Sequence, residues 1–142
     1  MLLDKPYGRA VDWWAFGVLL YQMMTSQSPL NGQDEDDIYD AILTKDPPYP
    51  KHLPSDAVDL IRKLLVRKPE ERLGYQKGAE KIMDHEFFNS IDWEALYKKK
   101  VTPPFRPKIK DRDDLSNFDK EFTSTAPSLT PVRSGTSTSF SI

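Results

Sequence analysis

The sequence predicts a mainly α-helical body of about a hundred residues followed by an extended, largely irregular tail. Three observations carry this. Twelve residues from Trp13 to Met24 include only Gln22 as a clearly polar side chain. Apolar residues recur at spacings of three and four in Ala57, Leu60, Ile61, Leu64 and Leu65, the stripe of an amphipathic helix. Beyond about residue 100 such periodicity stops, and proline, serine and threonine take over.

The first helix is read as Val11 to Met24. It is too short for a bilayer, which needs about 20 apolar residues, so it fits a helix buried on all sides within a protein. Asp12 stands at its start, where a carboxylate can accept helix or loop N–H bonds. Pro29 and Gly32 mark a loop. A second helix begins in the acidic run Asp34–Asp37 and continues through Ile42, with its acids complementing the helix dipole. That run also has the composition of a cation site or a dock for basic substrates. Pro47, Pro48, Pro50 and Pro54 exclude regular structure before the third helix, for which Ser55 is the expected N-cap. A fourth helix is expected over Ala79–Asp84, and Trp93–Lys98 adds a short fifth turn. No helix is expected in 101–142, and eleven of the twenty residues from Thr123 to Ile142 are Ser or Thr, a composition prone to disorder.

Composition narrows the chemistry. The chain has 142 residues, room for one modest domain, with 38% hydrophobic and 30% charged residues. A net charge of −2 gives no electrostatic reason to expect nucleic acid or an anionic membrane as partner. With no cysteine there are no disulfides, thiolate metal sites or cysteine nucleophiles, and His52 and His85 form no ligand pair. No signal peptide is read at the start, because Asp4, Lys5 and Pro6 interrupt any apolar run; a cytoplasmic setting is expected. Lys98-Lys99-Lys100 could touch phosphate or lipid but reads better as a solvated edge.

Four motifs in order give a resemblance. They are Asp12-x-Trp14-x-x-Gly17 before an apolar helix, Ser28-Pro29-Leu30-Asn31-Gly32, Lys68-Pro69-Glu70-Glu71-Arg72-Leu73-Gly74, and His85-Glu86-Phe87-Phe88. Together they resemble the C-terminal helical portion of the protein kinase large lobe. The tail extends the likeness with Pro103-Pro104-Phe105-Arg106-Pro107, Asn117-Phe118-Asp119-Lys120-Glu121-Phe122 and Ser128-Leu129-Thr130-Pro131. These are similar to the C-terminal extension of the AGC serine/threonine kinases, most of all protein kinase C and its close relatives. The resemblance divides the chain into 1–88, kinase large lobe, and 89–142, tail.

The resemblance implies roles. Asp12 anchors a catalytic loop, Trp14 and Gly17 belong to the helix that carries it, and Arg72 pairs with the glutamate that ends the activation segment. Pro104, Phe105, Phe118 and Phe122 tether the tail across the lobes, and Thr130, then Ser128, are its phosphorylation sites. The family's closing Phe-x-x-Phe-Ser/Thr-Tyr motif has no match in Ser139-Phe140-Ser141-Ile142.

Phosphotransfer in this family needs ATP, Mg²⁺, a glycine-rich loop, a strand lysine, catalytic-loop Asp and Asn, and Asp-Phe-Gly. None of these motifs is in the sequence. The chain is therefore expected to hold no cofactor itself and to catalyse nothing alone. It reads as a piece of a protein kinase C-like enzyme that supplies scaffold helices and regulatory tail. Its partners would be the missing N-terminal part of the kinase domain, and the parent's protein substrates and regulatory kinase. Any membrane contact would run through domains of the parent. Losing the contacts of several large aromatics predicts a partly folded, aggregation-prone body in isolation. The alternative is a non-catalytic binding module or decoy using the large-lobe surface and the phosphorylatable tail.

Overall fold

In the computed structural model, residues 8–128 are described. Helix α1 spans Ala10–Thr25, one residue longer at each end than expected. It ends because Ser26 turns left-handed (φ 58°), which lets its N–H donate to the Gln22 carbonyl at 2.8 Å. The Thr25 hydroxyl, donating to the Tyr21 carbonyl at 2.8 Å, supports the same stop.

Helix α2 spans Glu35–Thr44. Asp34 is its N-cap, accepting the Asp37 N–H at 2.9 Å, while the Asp37 carboxylate accepts the Gln33 N–H at 3.2 Å. The acidic run is thus used as helix-capping chemistry. The cap also closes tightly around Gly32, where an added Cβ would lie 2.4 Å from Asp37 Cβ. Helix α3 spans Ser55–Leu64. Here the expected cap is corrected: Pro54 occupies the N-cap position, without a side-chain bond, and Ser55 is already helical. Proline's fixed φ and missing N–H suit a helix start, whereas Ser55 offers no cap once inside it. Short helices α4 (Ala79–Met83) and α5 (Trp93–Tyr97) follow, with single 3-10 turns at Pro69–Glu71 and Glu86–Phe88. No strand occurs among the described residues.

The chain divides into two units, Met1–Lys98 and Lys99–Ile142. In the first, the core is the crossing of α1 and α3: Leu20 and Tyr21 meet Leu60, Ile61, Leu64 and Leu65, with Ile82 of α4 added. Leu60, Ile61 and Leu64 are wholly buried. Gly17 makes the crossing possible. A Cβ there would lie 2.8 Å from Leu64 Cβ and 3.0 Å from Leu65 Cδ2. The Tyr21 hydroxyl donates to the Pro48 carbonyl at 2.6 Å, fixing the proline-rich connection against α1. Tyr49 meets Tyr21 edge-on at 6.3 Å, and Arg62 covers its ring at 4.7 Å.

Helix α1 is not buried on all sides, as its composition predicts. Ala10, Gly17, Leu20 and Tyr21 are buried, but Leu19 and Met23 are 52% and 72% exposed. Among the described residues the helix is covered on the side facing α3 and, at its start, by the 66–74 loop, so the uniformly apolar sequence is left with an open apolar face at Leu19 and Met23.

The second unit is described to residue 128. Asp114 folds its middle by accepting the Lys110 and Ser116 N–H groups, both at 2.8 Å, and these bonds hold its carboxyl below the usual range. Asn117 donates to the Lys108 carbonyl at 3.2 Å. A one-turn helix, α6 (Lys120–Thr123), corrects the expectation of none; Asp119 caps it by accepting the Glu121 N–H at 3.0 Å. Four residues are too few to leave a periodic signal in the sequence.

Candidate functional site: the Arg72 cradle and the open face of α1

The segment from Val66 to Gly74 loops back over the start of α1 and brings Arg72 inside. Pro69 begins the 3-10 turn, and the Arg72 N–H donates to the Pro69 carbonyl at 3.2 Å. The Leu73 N–H then reaches the Lys63 carbonyl at 3.0 Å, pinning the loop to α3. Gly74 follows at φ 90°, a conformation that favours glycine. A Cβ there would also strike Trp13 at 2.8 Å.

Arg72 is 7% exposed. Its Nε donates to the Val66 carbonyl at 2.8 Å, one terminal nitrogen to the Ala10 carbonyl at 2.6 Å, and the other to the Arg67 carbonyl at 3.2 Å. The guanidinium lies over the Trp14 ring, 5.1 Å from its centroid. No carboxylate pairs with it among the described residues. Burial therefore pushes its pKa down, only partly opposed by Glu70. Three carbonyls use three of five N–H donors, so the fork keeps capacity for a carboxylate.

The other predicted residues distribute around this cradle. Trp14 forms its floor, and Gly17 lies one turn on, at the α1–α3 crossing. Asp12 is exposed in the first turn of α1 and makes no side-chain hydrogen bond among the described residues. In the tail, Pro104 is exposed, as are Phe105, Phe118 and Phe122 at 77%, 63% and 73%. Ser128 is exposed; Thr130 and the C-terminal Phe140 segment lie outside the described residues.

Sequence reading missed two features. Trp13 Nε1 is buried without a partner. An unsatisfied donor of this kind costs about 1–3 kcal/mol, so Trp13→Phe is expected to leave the urea midpoint almost unchanged or slightly raised. The second feature is the pairing of His85 with Asp59; His85 is 8% exposed. Its Nδ1 accepts the Phe87 N–H at 3.3 Å, capping the 3-10 turn, and its Nε2 faces Asp59 at 2.9 Å. Asp59 also receives Lys63 at 2.5 Å, and the ammonium, then the imidazole, hold its carboxyl below the usual range. This network seats Phe87 and Phe88, 5.0 Å apart and edge-to-face, against the core. The motif His85-Glu86-Phe87-Phe88 was the available signal, though the spacing to Asp59 was not.

The residues present do not fit ATP and Mg²⁺. Among the described residues no group of three acids or histidines could hold a metal ion, and the six glycines form no phosphate-cradling run. The geometry is a scaffold with an anchoring point, and no phosphotransfer step is assigned to it.

The protein kinase domain family matches residues 1–88. The chain belongs to the protein kinase family. The protein kinase C terminal domain matches residues 109–141, so an AGC-type tail follows the kinase portion in the sequence. The chain is 58% identical over 135 residues to the protein kinase C-like protein of Neurospora crassa, and equally to the protein kinase C of Aspergillus fumigatus. It is 48% identical over 134 residues to the serine/threonine-protein kinase N2 of Danio rerio. In each case 94% of this chain is covered but only 12% to 14% of the relative. The chain thus corresponds to a small part of protein kinase C-like serine/threonine kinases. These matches favour the kinase reading over a separate binding module.

Proposed function

We propose that this chain is the helical floor and regulatory tail of a protein kinase C-like serine/threonine kinase. The parent enzyme would transfer the γ-phosphoryl group of ATP, with Mg²⁺, to serine and threonine hydroxyls of proteins in the cytoplasm. One observation carries the reading: Arg72 is buried on three carbonyls without a carboxylate, beside a helix whose other face is open and apolar. Both are what a scaffold presents when its counterpart is the rest of a kinase domain. The partner supplies a carboxylate to Arg72 and apolar cover to Leu19 and Met23. Asp12, exposed and unbonded here, accepts N–H groups from the partner's catalytic loop. The large-lobe portion is assigned to 1–88 and the tail to 89–142; the family match ending at residue 88 supports that division.

In the tail, Pro104, Phe105, Phe118 and Phe122 are assigned to tethering. Their support is exposed aromatic area with no cover among the described residues. Thr130 is assigned as the phosphoacceptor acted on by a regulatory kinase, with Ser128 second.

The test is complementation. The chain is combined with a separately produced N-terminal part of a protein kinase C-like kinase domain, ending at its activation segment. Phosphate transfer from ATP to a basic serine peptide is then measured. The chain alone is expected to give none, and the combination a measurable rate that falls with Asp12→Ala. Transfer by the chain alone, lost on mutating one of its own acids, would overturn the proposal.

A further inference from the structure

Three dipeptides in the sequence place a serine or threonine before proline: Ser28-Pro29, Thr102-Pro103 and Thr130-Pro131. The first forms a turn, and the third is the tail phosphosite proposed above. Thr102 has neither role. The structure separates the first two sharply. Ser28 is half-buried, its hydroxyl donates to the Leu30 carbonyl at 2.9 Å, and Pro29 is buried. Asn31 also donates to the Ser28 carbonyl at 3.1 Å, closing the turn. A modifying enzyme would have to unfold this loop to reach the hydroxyl.

Thr102 has the opposite setting. It follows α5, outside any helix, and both Thr102 and Pro103 are exposed. Its hydroxyl has no hydrogen-bond partner among the described residues, so nothing there holds it back. The proline that follows disfavours helical backbone at Thr102 and biases it to the extended form in which a peptide lies in a kinase cleft. Lys99, turned left-handed at φ 56°, and Lys100 stand just before it. Lys98 is engaged with Glu94. From Lys98 to Arg112 the single acid is Asp111.

We propose that Thr102 is a phosphoacceptor for a proline-directed serine/threonine kinase, distinct from the tail site at Thr130. In the reaction, the Thr102 hydroxyl oxygen bonds to the γ-phosphorus of ATP as the bond from that phosphorus to the β–γ bridging oxygen breaks. The hydroxyl proton passes to the modifying kinase's carboxylate base, and ADP leaves. The product carries about −1.5 to −2 charge beside Lys99 and Lys100, which neutralise it at close range. Modification therefore offsets about two of the positive charges in the stretch between α5 and Arg112, those nearest Thr102.

The experiment incubates the 142-residue chain with a proline-directed kinase and labelled ATP, and maps the phosphate by mass spectrometry. The wild-type chain and Thr130→Ala are expected to carry phosphate on Thr102; Thr102→Ala and Pro103→Ala are expected to lose it. Thr102 is exposed, so neither substitution disturbs folding. A peptide spanning residues 20–36 is expected to be modified at Ser28, and the chain itself is not. Phosphate on Thr130 with none on Thr102 would overturn the proposal. So would undiminished labelling of Thr102 in Pro103→Ala, or labelling of Ser28 in the chain as fast as Thr102.

Discussion

Arg72→Lys destabilises the chain more than Arg72→Met does. The arginine makes three charge-assisted hydrogen bonds to carbonyls, each worth about 1.5–3 kcal/mol. Against that stands the effective desolvation of a buried ion without a counter-charge, several kcal/mol. The two nearly offset, so methionine, which fills similar volume over Trp14, loses a net of about 1–3 kcal/mol. Lysine keeps the charge but lacks the planar fork, and one ammonium cannot reach Ala10, Val66 and Arg67 together. It therefore bears the desolvation with fewer bonds. Urea unfolding followed by helix ellipticity should rank wild type above Met and Met above Lys; the reverse order of the two variants would show the bonds to be secondary to the charge. In the complemented kinase the Met variant should suffer more, because a paired carboxylate is then stranded at a cost of about 3–5 kcal/mol.

The contrast between Arg72 and α3 shows what the sequence can and cannot convey. The stripe Ala57, Leu60, Ile61, Leu64 maps directly onto a buried face, because a 3.6-residue period and one-sided burial are the same fact. For α1 the sequence is apolar all round, and periodicity says nothing about which side is covered; α3 covers the side holding Gly17, Leu20 and Tyr21. Asp34 as a cap was half legible, since acids before a helix serve dipole and cap alike. The partners of Arg72 were not. Backbone carbonyls carry no residue identity, so Ala10, Val66 and Arg67 left no trace in the composition. The resemblance supplied an arginine with a carboxylate partner; the structure supplies the carbonyls that hold it meanwhile. His85 with Asp59 was likewise hidden, being a pairing across 26 residues that only the α3–3-10 contact creates.

The α1–α3 crossing carries the second large effect. Leu64→Ala removes a wholly buried side chain at the centre of the core, and cavity formation of this kind costs about 2–5 kcal/mol. Gly17→Ala acts on the same contact from the other side with two opposed contributions. Alanine improves helix propensity by about 1 kcal/mol, while overpacking costs about 1–3. The closest atom is Leu64 Cβ, at 2.8 Å, which is fixed to the α3 backbone and cannot rotate away. The helices must separate, so overpacking wins and the net is a loss of up to about 2 kcal/mol. Because alanine at 64 retains that Cβ, Leu64→Ala gives no relief, and the double variant is expected to be at least as unstable as the sum. Leu65→Ala, by contrast, removes the Cδ2 that would lie 3.0 Å away and should recover part of the Gly17→Ala loss. Amide hydrogen exchange over Leu60–Leu65 reads all four variants, including any too unstable to melt cooperatively. Lower protection in Gly17→Ala than in wild type, partly restored by Leu65→Ala and not by Leu64→Ala, is the expected pattern. Higher protection in Gly17→Ala would show that helix propensity outweighs the contact and that the two helices have slack between them.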